Sequence, residues 1–180
     1  MRFPVRFLPL IVVAVSAAAS MAIAPPAHAT GTIVPGTYLT IQGAIDATGV
    51  DTVYVKTGEY AEDLQAHRDL VLLAYPHAGP FGLGYDYPVV RSLHVTSNNG
   101  GGTINFFRMT GIQVRGAVLF EHNASGTPEV TFESCRMDAG FTATPVTSSF
   151  AMVRLRGCVV FGGASIHCYY PSIVGNAIIG

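Results

Sequence analysis

Residues 30–180 contain five histidines, His67, His77, His94, His122 and His167. Zinc catalysis from a helix needs two of them four apart, so that one face presents both ring nitrogens. No pair has that spacing, and each histidine reads as a surface or core-edge residue. The aspartates are Asp46, Asp51, Asp63, Asp69, Asp86 and Asp138, and no two are adjacent or one residue apart. Acid–base work on a glycosidic bond needs two carboxylates held close together, and the local sequence does not offer them. Glu62 and Asp63 are neighbours, and calcium is conceivable there because hard cations take clustered oxygens. A solvated turn is the plainer reading of that pair, and no cofactor is expected. No catalytic residue is assigned.

Binding chemistry is better represented. Tyr85, Tyr87, Tyr169 and Tyr170 can each offer an apolar ring face and a hydroxyl to a sugar. His167, Tyr169 and Tyr170 lie close in sequence and are the carbohydrate-binding candidates. Cys135, Cys158 and Cys168 are odd in number, which leaves at least one thiol. Their spacings of 23 and 10 match no zinc pattern. They read as small core side chains, with Cys135–Cys158 and Cys158–Cys168 open as bridges. Asn123, Ala124 and Ser125 form a sequon, relevant where the source glycosylates.

Composition and pattern indicate the secondary structure that carries these residues. The chain has 180 residues, 49% hydrophobic and 12% charged, with a net charge of −1. One domain with a sizeable core fits those figures, and wholesale disorder does not. Without a basic run, nucleic acid is excluded as a partner class. Arg2 and Arg6 precede an uncharged apolar stretch, then Pro25 and Pro26, then Ala27-His28-Ala29. These are the three regions of a secretory signal in order, so residues 1–29 are expected to be cleaved. Residues 30–180 then form the mature domain, mildly acidic, secreted into the periplasm or medium or held at the cell surface. Nothing later resembles a run of 18 apolar residues, so no membrane span is expected after cleavage.

Residues 39–48 predict a short amphipathic helix. Thr40 is placed to cap it, Ile41, Ala44 and Ile45 share one face, and Gly49 is placed to stop it. Residues 51–56 alternate as a half-buried strand with Val53 and Val55 on one face, and Gly58 marks the turn after it. Residues 69–75 and 89–96 predict further strands. Residues 76–88 and 97–102 read as loops, from their glycines, prolines and asparagines.

The stretch 40–64 resembles the entry to right-handed parallel β-helix proteins of the pectin-lyase-like superfamily. Such chains often begin with an Ile-Gln-x-Ala-Ile-Asp helix, then Asp-Thr-Val-x-Val, then Gly-x-Tyr-x-Glu. The matching residues are Ile41, Gln42, Ala44, Ile45, Asp46, Asp51, Thr52, Val53, Val55, Gly58, Tyr60 and Glu62. The resemblance implies an all-β solenoid, a right-handed parallel β-helix with a short N-terminal capping helix. It is uninformative about activity, since the superfamily holds lyases, hydrolases, esterases and non-enzymatic surface proteins. The paired-aspartate, Gly-His-Gly and Arg-Ile-Lys strings expected of its hydrolases are absent.

A solenoid must repeat. Residues 130–140 overlay on 153–163 at a spacing of 23, with Val130 on Val153, Phe132 on Leu155 and Cys135 on Cys158. A shorter match at 173–178 puts Asn176 where the cysteines stand. In that register Val130, Phe132, Val153 and Leu155 point inward, whereas Thr131 and Glu133 point outward beside Arg154 and Arg156. Glu133 and Arg156 are then expected as a solvated lateral pair. Residues 173–180 read as the start of another coil with no cap. Two expectations follow from an open apolar end: a longer solenoid of which this is the N-terminal portion, or self-association there with another copy or a partner. The function read from all this is a secreted or surface protein, non-catalytic and polysaccharide-binding. One alternative is a lyase or hydrolase of acidic glycans whose catalytic coils are missing or unrecognised. The other is a structural repeat module of a larger surface protein.

Overall fold

The computed structural model describes residues 30–75, 86–98, 103–123, 126–145, 151–168 and 170–180. Residues 1–29, Tyr85 and Tyr169 lie outside these. Among the described residues no helix is long and apolar enough to cross a membrane.

The chain is a parallel β-helix. Its elements begin with β1 (Thr30–Val34), α1 (Ile41–Asp46), β2 (Val50–Lys56), β3 (Gly58–Ala66), β4 (Leu70–Tyr75) and β5 (Pro88–Asn98). They continue with β6 (Phe106–Thr110), β7 (Gln113–Val114), β8 (Val118–Asn123), β9 (Glu129–Glu133), β10 (Arg136–Met137) and β11 (Phe141–Pro145). The last are β12 (Met152–Arg156), β13 (Val159–Phe161), β14 (Ala164–Ile166), β15 (Tyr170–Val174) and β16 (Ala177–Ile179). Every strand pairing among the described residues is parallel, and each strand bonds to strands of the neighbouring turns. One sheet runs β1-β2-β4-β6-β9-β12-β15. The other joins two ladders through β5, whose first half pairs with β7 and whose second half pairs with β8. Thus β7, β10, β13 and β16 make one ladder, and β8, β11 and β14 make another. Three faces result, with the core inside.

Alternation builds that core. Val53, Leu72, Met109, Phe132 and Leu155 are register partners on successive strands and are fully buried. Val90, Val114, Met137 and Val160 form a second buried row. Rings also meet inside the core: Phe107 and Phe132, on adjacent turns, lie 5.9 Å apart, and Phe132 and Phe141, on two faces of one turn, 5.3 Å apart. The expected overlay of 130–140 on 153–163 is the observed register, and Ile173 continues the row as partner of Leu155.

One corner repeats in detail. After β6, β9, β12 and β15 the backbone turns through a left-handed residue, at Gly111, Ser134, Gly157 and Gly175 in turn. Three of the four are glycine, which has no Cβ to oppose a positive φ. The next position holds Ile112, Cys135, Cys158 and Asn176. Cys135 Sγ donates to Met109 O at 3.4 Å, Cys158 Sγ to Phe132 O at 3.4 Å, and Asn176 Nδ2 to Leu155 O at 2.8 Å. Each side chain reaches the same carbonyl of the preceding turn, so thiols and amide perform one role. Cys135, Cys158 and Cys168 are not joined to one another by a disulfide, and burial pushes the Cys135 thiol up.

The N-terminal end is covered by α1. Thr40 caps the helix, its Oγ1 accepting from Gly43 N at 3.1 Å. Ile41, Ala44 and Ile45 are fully buried. β3 is a strand that the sequence reading passed over, and it holds the acidic pair expected in a solvated turn. The two carboxylates of that pair do separate work. Glu62 accepts from Ile41 N at 3.0 Å and Gln42 N at 2.9 Å, satisfying the first free amides of the helix. Asp63 accepts from Arg91 Nε at 2.8 Å and Ser92 Oγ at 2.6 Å, and those bonds hold it below the usual carboxylate range. At the other end Arg68 donates to Ile45 O and Ala47 O.

Candidate functional site

The carbohydrate candidates fall on two faces of the last turns. His167 is exposed and follows β14, its amide bonded to Ala143 O at 3.0 Å. Tyr170 opens β15 in the other sheet, in register with Met152. Tyr169 lies outside the described residues. The backbone therefore turns a corner between His167 and Tyr170.

The face formed by the second half of β5 with β8 and β11 carries polar side chains. His94 Nε2 lies 2.9 Å from Glu121 Oε2 and 3.0 Å from Thr96 Oγ1. A catalytic relay needs one partner on each ring nitrogen. Here both partners meet the same nitrogen, so the trio does not have relay geometry. Inside the same turn His122 is fully buried and stacks on Phe120 at 6.3 Å. Among the described residues neither of its ring nitrogens has a hydrogen-bond partner. Burial pulls its pKa below the ordinary histidine value, and the backbone at Gly126 offsets part of that.

A cleft opens where β3 and β5 begin, beside β7. It consists of two adjoining depressions of about 350 and 510 Å³ that share Glu59, Val89 and Arg115. Tyr60 lines one, and Asp86, Tyr87 and Gln113 line the other. The strands place these groups by ordinary alternation, since Val90 points inward and its neighbour Val89 outward. Arg115 pairs with Glu59 across the cleft. Tyr60 Oη donates to Lys56 O at 2.9 Å, which fixes the ring; burial and the nearby Glu62 raise its pKa. Gln113 donates to Asp138 Oδ2 at 2.7 Å, and Arg136 reaches Asp138 Oδ1 at 2.7 Å while lying over Phe161. The cleft offers an aromatic lining, carboxylates, an amide and a guanidinium, the inventory that holds a sugar by its ring face and hydroxyls.

Tyr87 is among the tyrosines that sequence singled out. Glu59, Gln113 and Arg115 are not, because the turns that bring them together are separated by the long segment after β4. A third depression, about 190 Å³, lies on the outer face of β6, β9 and β12. There the register expected for Glu133 and Arg156 holds, but their pairing does not. Glu133 pairs with Arg108 of the preceding turn instead, and Arg154 pairs with Glu129 at 3.0 Å.

Among the described residues no group of three or more histidine, cysteine or acidic side chains could hold a metal. Glu62 and Asp63, the suggested calcium ligands, are engaged by helix amides and by Arg91 respectively. No family model, curated protein or solved structure matches the chain.

Proposed function

We propose that this is an exported right-handed parallel β-helix protein of the pectin-lyase-like kind that binds polysaccharide without transforming it. The cleft at Glu59, Tyr60, Asp86, Tyr87, Gln113 and Arg115 carries the reading. It runs along the outside of a rigid sheet, where an extended polymer can lie. Its hydrogen-bonding groups are fixed by strand register, so little order is lost on binding. The N-terminal signal pattern and the stretch 40–64 support export and kinship.

Affinity electrophoresis of the full chain through gels containing neutral and acidic polysaccharides tests the proposal. At least one polymer is expected to retard the protein, and Tyr87→Ala should weaken that retardation about tenfold, the scale of one lost aromatic stacking contact with its hydrogen bond. Unretarded migration with every polymer would end the reading. His167→Ala tests the other candidate face and is expected to leave retardation at the cleft unchanged.

Self-association through the last turn is a second reading. It is favoured by the exposure of Ile173, Val174, Ile178 and Ile179, at 47%, 61%, 44% and 51%. A sedimentation mass that stays monomeric at all concentrations would remove it.

A further inference from the structure

We infer that the outer face of β6, β9 and β12 is a second, separate site, one that takes an oxyanion. Guanidinium donors there outnumber the acceptors that face them. Arg108, Arg154 and Arg156 line the depression, with Glu129, Thr131 and Glu133 between them. Register fixes this order: Arg108, Thr131 and Arg154 are partners on adjacent strands, and Glu133 and Arg156 are partners in the next row. Neighbouring strands stand ~4.8 Å apart and outward residues of one strand ~7 Å apart, so the three guanidiniums surround one small area.

Their donors are poorly matched from within. Arg108 is paired with Glu133. Arg154 Nη1 meets Glu129 at 3.0 Å, but among the described residues its Nε and Nη2 face only Met152 Sδ, at 3.2 and 2.8 Å. A thioether is a weak acceptor. Arg156 is exposed and, among the described residues, is the one arginine whose guanidinium finds no acceptor in the protein. Thr131 Oγ1 already points to Glu129, at 3.4 Å.

The other faces show that this is local. Arg91, Arg115 and Arg136 each have their own carboxylate, and Arg68 has two helix carbonyls. A donor surplus held in a depression is complemented by a ligand that only accepts. A carboxylate or sulfate group does so, and a guanidinium fork engages either with two parallel bonds. The source of the oxyanion is an acidic polymer or a free inorganic anion, and the chemistry at Arg154 and Arg156 is the same for both.

The test measures binding of the full chain to polygalacturonate, dextran sulfate, inorganic sulfate and neutral dextran at low salt. Arg156→Gln is compared with Lys56→Gln, which removes the same charge from an exposed position several strands away on the same sheet. Arg156→Gln should weaken anion binding by about tenfold or more, the scale of a lost charge-assisted pair, while Lys56→Gln stays within about twofold. Both positions are exposed, so unchanged thermal melts confirm that both variants fold. Arg156-dependent binding of the charged polymers identifies an acidic polymer as the ligand. Arg156-dependent binding of sulfate alone identifies the free anion. Equal losses in the two variants, binding of neutral dextran as strong as that of the charged polymers with no effect of Arg156→Gln, or no anion binding at all would overturn the site. Tyr87→Ala should leave the Arg156-dependent component intact, which separates this site from the cleft.

Discussion

The first and last described turns treat the same interior rows differently. In the first turns Val53 is fully buried between Thr32 of β1 and Leu72 of β4, with α1 packed against β1, β2 and β3. Three turns on, Phe132 in that row is also fully buried, yet Ile173, the partner of Leu155, is 47% exposed. The second row repeats the contrast, from Val160 at 0% to its partner Ile178 at 44%. The side chains are alike, so the difference lies in what covers them. In a parallel solenoid a residue is buried chiefly by the turns on either side of it. A row is therefore as stable as its neighbours, and an end needs a special device. Here the device is α1, fastened by Glu62 and Arg68.

Substitutions along one row give the sharpest way to break this comparison. Phe132→Ala should cost about 3–5 kcal/mol in denaturant unfolding, since it opens a cavity where three rings meet. Ile173→Ala in the same row should cost under about 1 kcal/mol, because half its surface already faces water. Equal costs would mean that the last turn is as well covered as the middle.

The fastening of α1 comes next. Glu62→Ala removes the acceptor of two helix amides and should cost about 1–3 kcal/mol. Hydrogen exchange should show α1 opening before the central strands in that variant. Unchanged protection of Ile41 and Gln42 amides would show that packing alone holds the cap.

His122 adds a pH dependence to the middle of the molecule. Its folded pKa is depressed, so the unfolded chain takes up a proton first as pH falls. The associated stability is fully present above the unfolded value of about 6.5 and is lost as pH drops through the folded value. The urea midpoint should therefore fall between pH 7.5 and pH 5, and His122→Leu should flatten that part of the profile. A slope unaltered by the substitution would place the titration elsewhere. The smallest effect is expected at the uncovered edge, where Val174→Lys should change stability by no more than about 0.5 kcal/mol.

Legibility in the sequence tracked local regularity. Thr40 with Ile41, Ala44 and Ile45 announced α1, because capping and helical spacing are properties of a few adjacent residues. The match of 130–140 with 153–163 announced the register of β9 and β12, because those two turns are the same length. β3 was missed: its residues 58–63 are mostly outward or half-exposed, and the ladder shifts register between Tyr60 and Asp63. β6, β7 and β8 were missed as well. The segments 76–87 and 99–105 separate Leu72 from its partner Met109 and hide the repeat, and β7 is only two residues long. Of the groups lining the cleft, Tyr87 was recognisable by type, whereas Arg115 and Glu59, 56 positions apart, were not.

By itself, then, the sequence determined the all-β solenoid class, the capping helix, the inward set of β9 and β12, and the bend shared by Cys135, Cys158 and Asn176. Alternation, capping and equal-length repeats are short-range rules that a string of residues can express. Tertiary structure alone decided which acid each arginine meets. Glu133 stands in register with Arg156 yet pairs with Arg108, because each outward side chain chooses between two adjacent turns. The unmatched guanidinium of Arg156 follows from that choice, made in three dimensions among residues that no local pattern connects.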